Sequence, residues 1–186
     1  GFVNRSKDVA TLLRAAAHLR QSRSGVHLLM IGERLGASDP SNQRYLAEIE
    51  TLAAELGLRP PVLQWTGPLS AEEVVEGLRA ADVMVLPYRD GASLRRGTLC
   101  AALACGRPTV TTTPHTPVPI LHEGENILFA PPENPEAVAA QVARLLDDEP
   151  FRQRVARAAG ALAPHFDWES IAGRHITIYQ EILGTP

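Results

Sequence analysis

The sequence predicts an α/β domain: a parallel sheet with helices on both faces. Three observations predict it. Short apolar runs of strand type alternate with stretches whose apolar residues recur at helical spacing, the rhythm of strand–helix–strand crossovers. Two of the runs, Val83 to Leu86 and Pro108 to Thr113, are continuous rather than alternating, as in strands buried on both faces. Glycines close several strands and helices, marking where the chain turns.

The elements follow in order. Phe2-Val3 ends a strand, and Asp8 to Arg20 is a helix through Val9, Leu12, Leu13, Ala16 and Leu19. Val26 to Ile31 is a strand ending at Gly32, and the stretch from Gly32 to Pro40 is the longest loop on the expected ligand side. Ser41 to Leu56 is a helix closed by Gly57, and Val62 to Trp65 is a strand ending in Thr66-Gly67. Ser70 with Glu73 forms a capping box that opens a helix through Leu78. After the strand at Val83 to Leu86, Gly97-Thr98 opens the helical run LCAALAC, and Gly106 closes it. Past Thr113 come a Pro-rich turn, a strand at Ile127 to Ala130, and helices at Pro135 to Leu146, Phe151 to Leu162 and Trp168 to Leu183.

Composition excludes several function classes. At 186 residues the chain is long enough for one large domain spanning 1–186. A net charge of -3 argues against nucleic acid as the main partner, and 5% aromatics argue against a base-stacking platform. No apolar run approaches the length that spans a bilayer. Gly1 opens the chain without an initiator Met in what reads as a strand, so a piece of a longer protein is expected. Cys100 and Cys105 fall five residues apart on one short helix, a spacing that suits two free thiols better than a disulfide. Free thiols point to the cytoplasm, with a membrane-peripheral position of the full-length protein left open.

Motif searches narrow the chemistry. No P-loop occurs, since Gly32 and Gly36 are too close and lack the Lys; no G-x-G-x-x-G follows the first strand; no G-x-S-x-G elbow exists. No Asp-x-Asp pair stands ready to hold a divalent metal on a diphosphate, and two cysteines make no zinc site. What remains is the loop after Leu86. Beyond a parallel strand's carboxyl end, a helix start aims free N–H groups at a ligand. Arg95 and Arg96 sit there beside Gly97 and Thr98, so the place suits an anion of phosphate type. The alternative is two solvated loop arginines.

The segments KDVATLLRAA, LLMIGE, VLQWTGPLSAEEV, ADVMVLPYRDG, AALACGRPTVTT, EGENILFAPPENPEAVA and FDWESIAGRHITIYQEIL, in that order, resemble the C-terminal half of a family-4 (group 1) glycosyltransferase. The resemblance covers essentially the whole chain. It implies a Rossmann-like domain forming one half of a GT-B fold, the half that binds a nucleotide-diphosphate sugar. It also implies retaining transfer without a bound metal or other cofactor, with the acceptor on an absent N-terminal domain, so that this chain alone does not turn over. A catalytically degenerate binding or scaffold module is the alternative. A sugar-nucleotide epimerase of GT-B fold is a third reading, which the FDWESIA segment opposes.

Transferred position by position, the resemblance is incomplete. The family's Gly-Arg and Lys-Gly pairs meet Gly1-Phe2 and Lys7-Asp8, so the Lys is kept and the Arg is not. The two positions of its Glu-x7-Glu motif hold Ser93 and Ala101, and the Glu of its GGxPE loop falls on Pro119 or Ile120. The expected substrate-binding set is therefore Lys7, Arg95, Arg96, Gly97 and Thr98 for the diphosphate and Ser93 for a sugar hydroxyl. Gly67 falls where the base packs, and Glu125 in a turn that approaches the nucleotide. Each has a plain alternative: Lys7 a solvated residue of a first helical turn, Gly67 and Glu125 ordinary turn residues, Thr98 a helix start. The six histidines read as structural or surface residues. The last helix is amphipathic through Phe166, Trp168, Ile171, Ile176, Tyr179 and Ile182. It either covers the sheet of its own domain or, as the resemblance implies, crosses to the absent domain and leaves a face open to self-association.

Overall fold

The computed structural model describes residues 3–35 and 40–184. In chain order they form α1 (Val9–Arg20), β1 (Leu28–Met30), α2 (Pro40–Glu55), β2 (Leu63–Trp65), α3 (Ala71–Ala80), β3 (Met84–Leu86) and α4 (Gly97–Ala104). Then follow β4 (Thr109–Thr112), β5 (Leu128–Ala130), α5 (Pro135–Asp147), α6 (Glu149–Gly160) and α7 (Trp168–Leu183). Single 3-10 turns stand at Arg5–Lys7 and Ala163–His165. Phe2 and the tip of the loop at 36–39, Gly36 included, lie outside the described residues; Val3 is buried but belongs to no strand.

Local chemistry places the helix ends. The capping box closes both ways: the Ser70 N–H donates to Glu73 Oε2 at 2.8 Å and the Glu73 N–H to Ser70 Oγ at 3.2 Å. Asn134, Asp148 and Asp167 cap α5, α6 and α7 through their side chains. α4 stops at Cys105, and Gly106 follows in the left-handed region at φ 62°, with the Arg107 N–H returning to the Ala102 carbonyl at 3.0 Å.

All strand pairs are parallel, but the sheet comes in two pieces. β1 pairs with β2 (Leu28 beside Leu63), and β3, β4 and β5 pair in that order (Met84 beside Thr109, Val110 beside Leu128). β1 and β3 do not bond to each other; an apolar slot of about 660 Å3 separates them. β4 is the best-buried strand. Its threonine hydroxyls are satisfied by carbonyls, Thr109 on Arg107 at 3.0 Å, Thr111 on Leu86 at 2.7 Å and Thr112 on Tyr88 at 2.5 Å. α1 serves two cores at once. Ala15 and Leu19 join Val110, Leu128 and the α5 residues Val138 and Val142, while Val9, Leu13 and Ala16 join Tyr45 and Ile49 of α2.

α7 decides between the two readings of the last helix. It does not cover its own domain: none of its residues is buried, and Trp168 is 81% exposed with Ile182 and Leu183 at 75%.

Candidate anion site at the strand ends

The chain leaves β3 as Pro87-Tyr88-Arg89-Asp90-Gly91, and this loop builds the site. Tyr88 is buried, and its hydroxyl meets Thr98 Oγ1 at 2.5 Å, tying the loop to the first turn of α4. Burial pushes the Tyr88 phenol up, with Thr98 and Arg96 drawing it partly back. Gly91 makes the next turn possible. It takes φ 75°, and a Cβ there would stand 2.6 Å from the Thr113 carbonyl and 3.0 Å from Pro114 Cα. No other residue fits that approach without moving the exit of β4.

Arg96 is the fixed cation. Its guanidinium forms a forked ion pair with Asp90, donates to Ser6 Oγ at 3.2 Å and lies 4.6 Å from the centre of the Tyr88 ring. Burial tends to raise the Asp90 carboxyl, but the Arg96 hydrogen bond and charge hold it below its usual value. Arg96 also stands at the N-cap of α4 without a side-chain cap, so the first amides of that helix, at Gly97 and Thr98, keep no side-chain acceptor. Arg95 is different: only its backbone N–H is held, by Ser93 Oγ at 3.3 Å, and its side chain is exposed.

Lys7 approaches from the other side. It is not in a first helical turn as expected; it closes the 3-10 turn at Arg5–Lys7, ahead of the α1 cap Asp8. Asn4 Oδ1 accepts its N–H at 3.1 Å, and its ammonium has no hydrogen bond or ion pair among the described residues. Half-buried, it has its pKa lowered first by burial and then by the Arg96 charge. Asp8 explains why a glycine suits the next position: its φ is 44°. Here an Asp tolerates that conformation, caps α1 and accepts the Thr11 hydroxyl at 2.7 Å.

Of the expected residues, Lys7, Arg96, Gly97 and Thr98 come together, with Ser93 and Arg95 on the adjoining loop. Gly67 bridges to Gly32 across the ends of β2 and β1 at φ 73°, so its turn role is plain. Glu125 is exposed in a turn pinned by the buried Asn126, whose Oδ1 accepts the His122 N–H at 2.9 Å; no hydrogen bond or ion pair among the described residues joins it to Lys7 or Arg96. The sequence did not bring Ser6, Tyr88 or Asp90 into the expected set, although YRDG directly follows an apolar strand. Arg89 lies outside that set too; it pairs with Glu133 at 2.8 Å and donates its N–H to the Ser6 carbonyl at 3.0 Å. Among the described residues no group of His, Cys, Asp or Glu could hold a metal ion, and no helix is long and apolar enough to cross a membrane.

Comparison with known proteins decides the family. The model of "Glycosyl transferases group 1" matches residues 1–148. The chain belongs to the group 1 glycosyltransferases. It is similar to a D-inositol 3-phosphate glycosyltransferase of Corynebacterium urealyticum, 30% identical over 189 residues that cover 100% of this chain and 43% of that protein. The corresponding enzyme of a Nocardioides species is 26% identical over 97% of this chain and 40% of its own length. This glycosyltransferase chain thus spans about 40% of the relatives it matches. Its fold matches Anabaena HepE in complex with UDP, with a TM-score of 0.83 at 19% identity over 97% of this chain and 47% of that one. It also matches the C-terminal domain of a Francisella tularensis group 1 glycosyltransferase, with a TM-score of 0.72 at 18% identity over 87% of this chain and 80% of that one. The glycosyltransferase fold is therefore the expected half of a GT-B architecture.

Proposed function

We propose that this chain is the donor-binding domain, 1–186, of a retaining, metal-independent glycosyltransferase that moves a sugar from a nucleotide-diphosphate sugar to an acceptor held by another domain. The observation that carries the reading is the pairing of Lys7 and Arg96. Two cations face one space, Lys7 is half-buried without an acidic partner among the described residues, and the start of α4, with no side-chain cap from Arg96, adds its dipole. Such a place lacks an anion. A diphosphate supplies it, with Lys7, Arg96 and the Gly97-Thr98 amides holding phosphate oxygens and Arg95 free to swing in from the rim. Charge that builds on the departing diphosphate is met by groups already in position, which is where leaving-group stabilisation acts. HepE, crystallised with UDP, makes uracil the first base to try. Ser93 and Gly67 remain proposed contacts to sugar and base, and Glu125 to the nucleotide. The two free thiols, Cys100 and Cys105, fit a cytoplasmic setting.

Calorimetric titration with UDP, GDP and ADP, with and without magnesium, tests this. We expect metal-independent binding of one of them. In Arg96→Ala that affinity falls about 10- to 100-fold, the loss of one charge-assisted bond of about 1.5–3 kcal/mol. Unchanged affinity in that variant overturns the clamp. A second reading, a binding module without turnover, is favoured by Ser93 and Ala101 standing where the family carries carboxylates. Diphosphate binding by the full-length protein without sugar transfer or donor hydrolysis selects it.

A further inference from the structure

Arg96 is held on three sides. Both Asp90 carboxylate oxygens accept from Nη2, Ser6 Oγ accepts from Nη1 at 3.2 Å, and the guanidinium carbon lies 4.6 Å from the centre of the Tyr88 ring. Two of these holds are firm. Tyr88 is 1% exposed and meets Thr98 Oγ1 at 2.5 Å, and the Ser6 hydroxyl is itself oriented, donating to Asn4 Oδ1 at 2.9 Å. Asp90 is the loose one. Its side chain is 58% exposed against 21% for Arg96, so rotation about its side-chain bonds carries the carboxylate into water while Arg96 stays where it is. Among the described residues Asp90 is the sole acid paired with Arg96, and no acid pairs with Lys7.

A carboxylate and a phosphate suit the same guanidinium, and two anions placed together repel unless a cation lies between them. Arg96 therefore cannot grip a phosphate at full strength while Asp90 keeps its fork. Exchange is near balance for Arg96 itself, one charge-assisted pair replacing another. The gain falls elsewhere: Lys7 and the Gly97-Thr98 amides receive an anion, and the displaced carboxylate regains water. A second positive group waits for that carboxylate. Burial raises the Asp90 carboxyl, but Arg96 and, last of the charges, His115 lower it. His115 stands across the Gly91 turn, where a Cβ on Gly91 would come 3.1 Å from the His115 nitrogen.

We infer, on the reading of this place as a diphosphate site, that Asp90 is an internal competitor for Arg96: it holds the guanidinium while the site is empty and yields it to an arriving nucleoside diphosphate. The same competitor works in reverse after transfer. As the spent diphosphate loosens, the carboxylate at the rim recaptures Arg96, so Asp90 lowers affinity and hastens release. The fixed Tyr88 and Ser6 contacts keep Arg96 in place through both states.

Inorganic pyrophosphate, which carries the diphosphate without base or sugar, is the probe, titrated by calorimetry against the parent, Asp90→Asn, Arg96→Ala and the double variant. Asp90→Asn is expected to bind it about 10-fold more tightly, with slower dissociation in stopped flow. In the Arg96→Ala background the same change is expected to alter affinity no more than about 3-fold, since there is no guanidinium left to release. The Asp90 carboxyl 13C resonance of the parent gives a readout that needs no variant: saturating pyrophosphate is expected to move its titration midpoint upward, out of the range in which Arg96 holds it. Where the melt of Asp90→Asn shows a fold defect, that resonance decides. Weaker binding in Asp90→Asn makes Asp90 a support for Arg96 and overturns the competition. An equal gain in both backgrounds is plain repulsion and overturns it as well. A parent that binds pyrophosphate, with an Asp90→Asn that binds no more tightly, sinks the competition and leaves the diphosphate site standing. Binding by neither protein removes both.

Discussion

In β4 all four residues, Thr109–Thr112, are buried and every threonine hydroxyl donates to a carbonyl; in β1 no residue of Leu28–Met30 is buried and Leu29 is 42% exposed. β4 is built of β-branched Thr and Val and β1 of Leu and Met, but propensity alone does not decide how deeply a strand is buried. Their neighbours do. β4 lies between β3 and β5 under α1 and α5, whereas β1 bonds only to β2 and faces the slot with its other edge. The β3–β4–β5 side is a finished core, and the β1–β2 side rests on α1 and α2 alone. The burial of these two strands follows the flanks each has covered.

The largest expected effect breaks the finished side. Leu128, fully buried in β5, is expected to cost about 2–5 kcal/mol when cut to Ala, through lost contacts and the cavity left behind. Leu29→Ala is expected to cost less than about 1 kcal/mol. Urea unfolding of both variants measures the gap, and equal midpoints would show that the two sides are equally built.

Gly91 is where the finished side touches the anion site. Gly91→Ala needs φ 75° for an L residue and drives a Cβ to 2.6 Å from the Thr113 carbonyl. We expect a loss of about 1–3 kcal/mol in a thermal melt, together with weaker diphosphate binding as Asp90 and Arg96 shift. A variant as stable and as tightly binding as the parent removes the need for glycine there.

How legible all this was in the sequence follows the same division. Every described helix and strand was readable from periodicity, because caps such as Ser70 with Glu73 and runs such as Val83 to Leu86 are local signals. The gap between β1 and β3 was not, since strand adjacency is set by partners distant in the chain. At the site, the Arg95-Arg96 pair drew attention to the right loop. The sequence did not distinguish the two arginines: Arg96 is fixed by Tyr88, Asp90 and Ser6, which lie at three different distances along the chain, whereas Arg95 stays on the surface. The left-handed φ of Asp8 was equally hidden, because Asp is a common helix cap with ordinary geometry.

A smaller effect concerns α7, the least covered element. Trp168→Ala and Ile182→Glu are expected to change stability by no more than about 0.5 kcal/mol, because both side chains are already in water. We propose that this face mediates self-association when no other domain covers it. Sedimentation at rising concentration is expected to show oligomers in the parent and fewer in Ile182→Glu; a parent that stays monomeric at every concentration rejects the proposal.

The smallest effect is electrostatic and sharpens the contrast between a satisfied cation and an unsatisfied one. Lys7 is the sole lysine of the chain, so reductive 13C-methylation gives a single side-chain resonance to titrate. Its pKa is lowered by burial and by Arg96, which means the folded protein holds that proton less tightly than the unfolded chain does. Between the lowered value and the ordinary 10.5 the unfolded state binds more protons, so the Lys7 contribution to stability rises with pH across that window and is most unfavourable below it. A bound diphosphate reverses the sign. Opposite charge favours the ammonium, so the resonance is expected to titrate at higher pH with UDP present, and binding in that window takes up a proton. Arg96→Ala removes the second cause of the lowering and is expected to raise the Lys7 pKa in the free protein. A Lys7 pKa that ignores both changes would mean that the two cations do not share one space.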